Sequence, residues 1–381
     1  MKAMIVVTHL LGTGHLTRAM TLAHAFVSAG HRAIIVSGGV RPATLNTDGI
    51  NFVQLPPVRS DGIDFGRLLD ANGVEATDVL LNARSDKLQE ILATEAPDAL
   101  ITELFPFGRR ILRREFLALL DAAQRQPKQP KVFASIRDIL APPSKPKKVT
   151  FAQEVIATYY DGVLVHADPA LTPLSLSWPV TEQLKAKLRY TGFVTAAPAK
   201  PHPKLLGHDE IIVSAGGGDV GNALFSCAKE AAAKDPARTW RLLVGGQNAN
   251  AKSAELQQNA PANLIAEPAR PEFRQMLHHA AGSVSLCGYN TALDILQTCC
   301  PAVFVPFDEG AEVEQGIRAD ALAQSSGLEV LHTGSLTAQN LLETLAQAMA
   351  SPRTPLDPTS TYGASRTVEI VAQHCGARDE N

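Results

Sequence analysis

Short apolar runs alternate along this chain with longer stretches of helical spacing. Residues 3–7, 32–37, 51–55, 98–104, 131–136 and 162–167 read as buried strands, rich in Val, Ile and Leu and bounded by Gly, Pro or Asp. Helical spacing runs from 16 to 29, through about 93, and from 108 to 123; a polar stretch with Arg59, Asp61, Asp64 and Arg67 precedes the second of these. A Pro/Ala-rich segment at 195–203 then breaks the pattern. Strand-like runs resume at 210–214, 239–244, 263–266, 283–286, 302–306 and 328–331, and residues 364–374 form a last helical pattern. Strands separated by helices imply parallel pairing and right-handed crossovers. The predicted fold class is therefore α/β, with two Rossmann-like doubly wound domains facing across a cleft. The expected boundaries are 1–195 for the first domain, 196–208 for a linker, 209–360 for the second domain, and 361–381 for a closing helix that can pack back on the first.

Composition narrows the setting more than the chemistry. A length of 381 residues accommodates two ordinary domains, and 45% hydrophobic with 19% charged residues is usual for globular proteins. A formal net charge of −3 gives no general attraction to nucleic acid, so no nucleic-acid partner is expected. The five cysteines show no CxxC spacing, which argues against a zinc cage; Cys299 and Cys300, beside a predicted strand, read as buried thiols. The chain enters a strand directly at its first residues, and no apolar run approaches the roughly 20 residues of a spanning helix. A cytoplasmic location is the expectation.

Each half opens with a strand, a glycine turn and a helix. The first turn is Gly12-Thr13-Gly14-His15; the second, Gly216-Gly217-Gly218-Asp219-Val220-Gly221, fits G-x-G-x-x-G. A dinucleotide site also needs an acid at the end of the following strand to hold ribose, and Ser37-Gly38-Gly39 and Gly245-Gly246-Gln247 stand there instead. NAD is thus disfavoured. Close backbone approach and open N–H groups at a helix start still favour an anionic ligand. A third junction, Gly288-Tyr289-Asn290-Thr291-Ala292-Leu293-Asp294, follows another strand, and its spacing predicts Thr291 as N-cap with Asp294 three residues on in the first turn. The plain alternative is a set of tight βα turns with a capping box.

These residues resemble the glycosyltransferase B fold, and within it glycosyltransferase family 28. The turn at 12–15 with the helix opening Thr17-Arg18-Ala19 is similar to that family's first glycine loop. Ser214 and the run Gly216, Gly217 and Gly218 resemble its second, which touches the donor diphosphate; Gly245 is assigned to the same nucleotide-sugar site, as is Gly14. Gly288, Asn290, Thr291 and Asp294 match its G-x-x-T-x-x-E signature, where the acid binds ribose, although Asp replaces Glu here. Glu314 and Gln315 correspond to a pair of amides that hold the donor sugar, with Glu departing from the pattern. Residues 104–110 and 135–138 are similar to a branch of predicted glycosyltransferases. The resemblance implies transfer from a nucleotide sugar, UDP-linked, to a hydroxyl acceptor that is a sugar, a lipid-linked compound or a small molecule. It also implies inversion at the anomeric carbon, with neither metal nor other cofactor. A nucleotide-sugar hydrolase or 2-epimerase of the same fold is the second reading, and a non-catalytic nucleotide or sugar-phosphate binder the third.

The candidate base is His15, between glycine turn and helix start, where the helix dipole keeps an imidazole neutral. Glu103 ends a strand and is a rival base or acceptor ligand, against the plain reading of a solvated carboxylate; His9 and Asp138 are weaker rivals. Arg109, Arg110, Arg113 and Arg114 share a helix start with Phe105 and Phe107, and Lys145, Lys147 and Lys148 add charge to the same domain. Two uses are open to such a run: clamping a phosphorylated acceptor, or peripheral contact with the inner face of an anionic membrane. A solvated face is the alternative.

Overall fold

The computed structural model describes residues 1–42, 45–60, 67–218, 220–310 and 312–376. Asp61 and Asp64 of the polar stretch, Asp219 of the second glycine turn and residues 377–381 of the closing segment lie outside the described residues. The chain divides into two units, Met1–Ala196 with Thr359–Asn381, and Ala197–Pro358.

The first unit contains β1 (Lys2–Val7), α1 (Gly14–Ser28), β2 (Arg32–Ser37), β3 (Ile50–Gln54), α2 (Asp78–Glu95) and β4 (Ala99–Glu103). It continues with α3 (Arg113–Gln124), β5 (Lys131–Arg137), α4 (Pro146–Tyr159), β6 (Gly162–His166), α5 (Glu182–Lys187) and β7 (Leu188–Tyr190). Its seven strands lie in the order β3-β2-β1-β4-β5-β6-β7, with every pair parallel. Helices cover both faces of such a sheet, so the central strands are apolar without alternation. Met4, Ile5 and Val6 of β1 are accordingly all buried. Helix α1 turns Leu16, Ala19, Ala23 and Phe26 inward at three- and four-residue steps, which keeps one face on the sheet. Six strands are expected before the linker from the apolar runs, and the structure has seven. β7 escapes detection because its three residues are only half-buried at the sheet edge, so they carry no apolar signature.

The second unit contains β8 (Ile211–Ser214), α6 (Asn222–Lys234), β9 (Trp240–Val244), α7 (Ala249–Gln257), β10 (Leu264–Pro268), α8 (Phe273–Met276) and β11 (Gly282–Ser285). After these come α9 (Tyr289–Leu296), β12 (Ala302–Phe304), α10 (Glu314–Leu322), β13 (Leu328–Val330) and α11 (Ala338–Ala350). Its sheet is parallel in the order β10-β9-β8-β11-β12-β13, the same order as the first six positions of the other sheet. The Pro/Ala-rich stretch groups with this unit, where Arg274 and His278 bond to the carbonyls of Ala197 and Ala199 at 2.7 Å each. Cys300 is buried as expected, but Cys299 is exposed. The closing helix α12 (Gly363–Gly376) belongs to the first unit, where Val368 and Val371 join the core formed by α1 and β1. Among the described residues no helix is long and apolar enough to cross a membrane.

One buried ion pair fixes the first unit's loops. Arg84 of α2 is fully buried and makes a fork to Glu115 of α3, with Nε to Oε2 at 2.9 Å and Nη2 to Oε1 at 3.0 Å. Its Nη1 donates to the carbonyls of Gly38 and Pro56, which ties the turns after β2 and β3 to these helices. Removing one partner of such a pair leaves an uncompensated buried charge. Glu115→Leu should therefore destabilise the chain by about 3–5 kcal/mol in chemical denaturation. A loss under about 1 kcal/mol would show that the carbonyl bonds alone satisfy Arg84.

Candidate active site

In both sheets the strand order reverses beside the first strand, between β1 and β4 and between β8 and β11. Loops leaving the carboxyl ends of those strands diverge, and the crevice between them is the usual ligand site of open α/β sheets. The candidate residues fall at these two reversals.

In the first unit the link from β1 leads to Thr13, the N-cap of α1, whose side chain makes no capping bond. The first N–H groups of α1 are therefore left to ligand or solvent. His15 is the second residue of that helix, and Glu103 is the last residue of β4. His15 Nδ1 lies 2.8 Å from Glu103 Oε1, and Arg18, one turn further along α1, donates to the same oxygen. An ionised carboxylate only accepts, so Nδ1 carries the imidazole proton and Nε2 is left with its lone pair. Arg18 Nη2 is also 3.1 Å from Nδ1; two donors cannot bond, and the approach reflects their common acceptor. His15 keeps 15% of its side chain exposed. Among the described residues Nε2 makes no hydrogen bond.

Glu103 is not a solvated strand-end carboxylate. Its side chain is 1% exposed. Burial pushes its carboxyl up, but the Arg18 charge, His15 and Ser135 pull it down further, to well below the usual range. It is held as an ionised acceptor, with Oε1 taking the His15 and Arg18 bonds and Oε2 the Ser135 bond. For His15, burial pushes the pKa down to about 3; Glu103 opposes this, and the charges of Arg109 and Arg18 add to it. His9 is buried with Nε2 donating to the carbonyl of Val40 at 2.9 Å, and Asp138 is buried at the end of β5. Neither is presented to a ligand.

The arginine run splits. Arg114 is exposed and stands 3.8 Å from Asp78. Arg109, Arg110 and Arg113 instead join Lys147 and Lys148 around a cavity of about 750 Å³. Its apolar wall is Leu10, Ile111 and Phe151, and among the described residues no carboxylate lines it. Arg109 has a left-handed backbone with φ 57°, and its Nε donates to Thr8 O at 2.6 Å. Burial pushes Arg109 down to about 10, against the pull of Glu103. A non-glycine residue held in that region costs about 1–3 kcal/mol, and such strain gathers at functional sites.

In the second unit, Ser214 ends β8 and its Oγ accepts from Gly216 N at 3.1 Å, which turns the glycine loop sharply. Gly216 and Gly221 have φ of 74° and 93°, and Gly221 caps α6. A side chain on Gly245, after β9, would come within 2.1 Å of Gly216 O, so the two glycine turns are packed backbone to backbone. Gly217 and Gly218 are exposed. The third junction differs from expectation. Helix α9 starts at Tyr289 with Gly288 as N-cap, so Thr291 is its third residue and no capping box forms. Asp294 accordingly sits in the second turn rather than the first. Thr291 and Asp294 remain on one face, three residues apart. Thr291 Oγ1 borders Gly216, and Asp294 Oδ1 pairs with Arg274 Nε at 2.7 Å. Burial pushes Asp294 up to about 6 against the Arg274 charge. Asn290 is exposed at the helix start. Gln315 Oε1 accepts from Phe307 N at 3.2 Å, and Glu312 Oε1 accepts from Glu314 N at 2.7 Å. Arg318, which the sequence places in a polar loop with Glu312, Glu314 and Gln315, is instead buried on α10 and donates to Cys287 O at 2.9 Å beneath the Gly288 turn.

Residues 211–373 match the glycosyltransferase family 28 C-terminal domain. The second unit is thus similar to family 28, and the fold of the chain is the glycosyltransferase B fold. It is 30% identical over 169 residues to the UDP-N-acetylglucosamine–N-acetylmuramyl-(pentapeptide) pyrophosphoryl-undecaprenol N-acetylglucosamine transferases of Brucella canis and Brucella suis. That stretch is 42% of this chain and spans 43% of the relatives' own length. Among solved structures, MurG of Acinetobacter baumannii superposes with a TM-score of 0.61 at 15% identity, over 98% of both chains. The glycosyltransferase VinC, in complex with dTDP, superposes with a TM-score of 0.63 at 14% identity, over 99% of this chain and 100% of its own.

The His15 environment has a direct readout. The ring should stay neutral from pH 8 down to about pH 4, its pKa being pushed to about 3. Histidine-selective NMR checks this: no His15 titration is expected between pH 5 and 8, and a midpoint near the ordinary value would refute the buried, arginine-flanked geometry.

Proposed function

We propose that this chain transfers a hexosyl group from a nucleoside-diphosphate sugar to a hydroxyl acceptor, with inversion at the anomeric carbon. The observation that carries the reading is the His15–Glu103 pair at the strand-order reversal of the first sheet, with Nε2 bare. Nε2 would accept the acceptor's hydroxyl proton as its oxygen bonds to the anomeric carbon and the nucleoside diphosphate departs. Glu103 then faces the imidazolium that forms. A histidine near pKa 3 is a poor base at rest. Anionic ligand groups beside Arg109 and Arg18 would offset two charges that hold it down, so basicity would rise as substrate binds.

Donor binding is assigned to the second unit. The exposed Gly217 and Gly218 and the first N–H groups of α6 are suited to diphosphate, and they oppose the negative charge that grows as it leaves. Asp294 would hold ribose through its second oxygen, with Glu314 and Gln315 near the sugar. Support for a uridine nucleotide comes from the donor named for the Brucella relatives. The cationic cavity favours an acceptor bearing negative charge, and an anionic membrane surface would be drawn to the same side chains at about 1 kcal/mol per charge.

His15→Gln should abolish turnover on a donor panel while UDP binding stays within about twofold, measured by calorimetry and product analysis. Turnover persisting within tenfold would remove His15 as base, and free sugar as sole product would establish a hydrolase. A second substitution tests the donor site. A side chain on Gly218 would meet nothing closer than Val220 Cγ2 at 3.5 Å, so Gly218→Val should fold normally. Its affinity for UDP should nevertheless fall at least tenfold, about 1.4 kcal/mol. Unchanged affinity in the folded variant would exclude this loop as the diphosphate site.

A further inference from the structure

The Glu103 carboxylate has a second oxygen, which His15 and Arg18 do not use. Ser135 Oγ lies 2.6 Å from Oε2, and His166 Nε2 lies 3.0 Å from Ser135 Oγ. His166 Nδ1 in turn is 2.9 Å from Thr191 Oγ1. Glu103, Ser135 and His166 stand near the carboxyl ends of β4, β5 and β6, three adjacent parallel strands, with Glu103 registered on Ser135. Ser135 and His166 are both fully buried.

We propose that Ser135 and His166 are positioning residues for the base: acting through Glu103, they fix which nitrogen of His15 carries the proton. The inference rests on the transfer reading above. Proton counting sets the direction of the chain. Glu103 can only accept, so Ser135 must donate its single proton to Oε2. The Ser135 oxygen then accepts from His166, which requires the proton on Nε2 of that ring. His166 Nδ1 is left as an acceptor beside Thr191 Oγ1 at 2.9 Å, where the carbonyl of Gly192, 2.7 Å from the same hydroxyl, competes for its proton. Burial keeps His166 neutral, pushing it down to about 3, with Arg18 adding and Glu103 opposing. The two links from Glu103 through Ser135 to His166 thus have one assigned proton each, and the Glu103 plane is held from both sides. Oε1 faces Arg18 and His15 of α1; Oε2 faces the sheet.

Without the Ser135 proton, Oε2 is a bare buried acceptor, and the carboxylate relaxes by turning toward Arg18. His15 then loses its Nδ1 acceptor, and its two tautomers become comparable. A role confined to satisfying a buried group would lower stability and leave the His15 tautomer untouched, so the two are separable.

The test uses the full chain. The Nδ1–H proton of His15, identified by its absence in His15→Gln, is followed by NMR beside melting temperature and steady-state kinetics. In Ser135→Ala and His166→Leu that signal should be lost to exchange, and kcat should fall roughly ten- to a hundredfold with donor KM unchanged. Ser135→Thr and His166→Gln, which keep a donor in place, should retain the signal and most of kcat. An unaltered signal in folded Ser135→Ala overturns the proposal. Should that variant fail to fold, His166→Leu against His166→Gln decides it by the same signal. Absence of turnover in the wild-type chain would sink the transfer reading alone, because the ring proton reports on the network without any substrate.

Discussion

Parallel pairing is the constraint on which the rest of this molecule depends. Each strand must be followed by a crossover, so all strands of a sheet point their carboxyl ends to one edge. Where the order turns back, at β1 and β4 and again at β8 and β11, successive crossovers leave to opposite faces. The loops at that edge separate, and in the first unit the helix-start N–H groups and a histidine backed by a buried carboxylate come together there without any element being distorted. The candidate residues of each unit lie at strand ends, on the loops that follow them, or in the opening turns of the next helices. The site is a by-product of topology, furnished by side chains.

Placing Glu103 at such an edge creates a problem that its neighbours resolve. A carboxylate with 1% of its side chain exposed is costly unless paired and hydrogen-bonded. Arg18 supplies the counter-charge, Ser135 a neutral donor and His15 a second donor. The same three bonds leave the His15 Nε2 lone pair as the one basic position turned outward. Satisfying the buried acid and preparing the base are therefore a single arrangement. Its cost appears elsewhere, in an excess of positive charge: Arg18 and Arg109 against one carboxylate. Burial depresses the histidine, that excess adds to the effect, and the neighbourhood is left suited to an anion.

The fold was legible because buried parallel strands write themselves as unbroken apolar runs. The strand of residues 32–37 was read to the residue, while β7, three half-buried residues at a sheet edge, left no pattern to read. Glycine turns marked the ligand edge of both sheets, since close backbone approach requires them. Side-chain partnerships were much less legible. Nothing in the spacing joins His15 to Glu103, 88 positions apart, and the two were read as rival bases rather than as partners. Ser135 and His166 were hidden for the same reason, as isolated polar residues within apolar strands. The capping-box reading of Thr291 failed because Gly288 could begin the helix without a side chain, moving its start three positions forward. Local propensity ranks Gly close to Thr at an N-cap, so spacing alone could not choose.

That shift alters what Asp294 can do. In the first turn its carboxylate would answer the helix's own N–H groups, and little would remain for a ligand. In the second turn those groups are already bonded within the helix, so the carboxylate must find partners outside it. One partner is Arg274, at 2.7 Å from Oδ1. Arg274 also donates to the carbonyl of Ala197, so the acid is steadied from the stretch that enters the second unit. Even so paired, Asp294 is pushed up to about 6, because burial outweighs the arginine. A diol that donated to Oδ2 would favour the ionised form and draw the pKa back down. Ribose binding and deprotonation of Asp294 are thus thermodynamically linked, and nucleotide affinity would weaken as pH falls through about 6. An Asp294 fully satisfied by Arg274 would show no such linkage, which makes the pH dependence of affinity a sharper probe of this residue than its position in the helix.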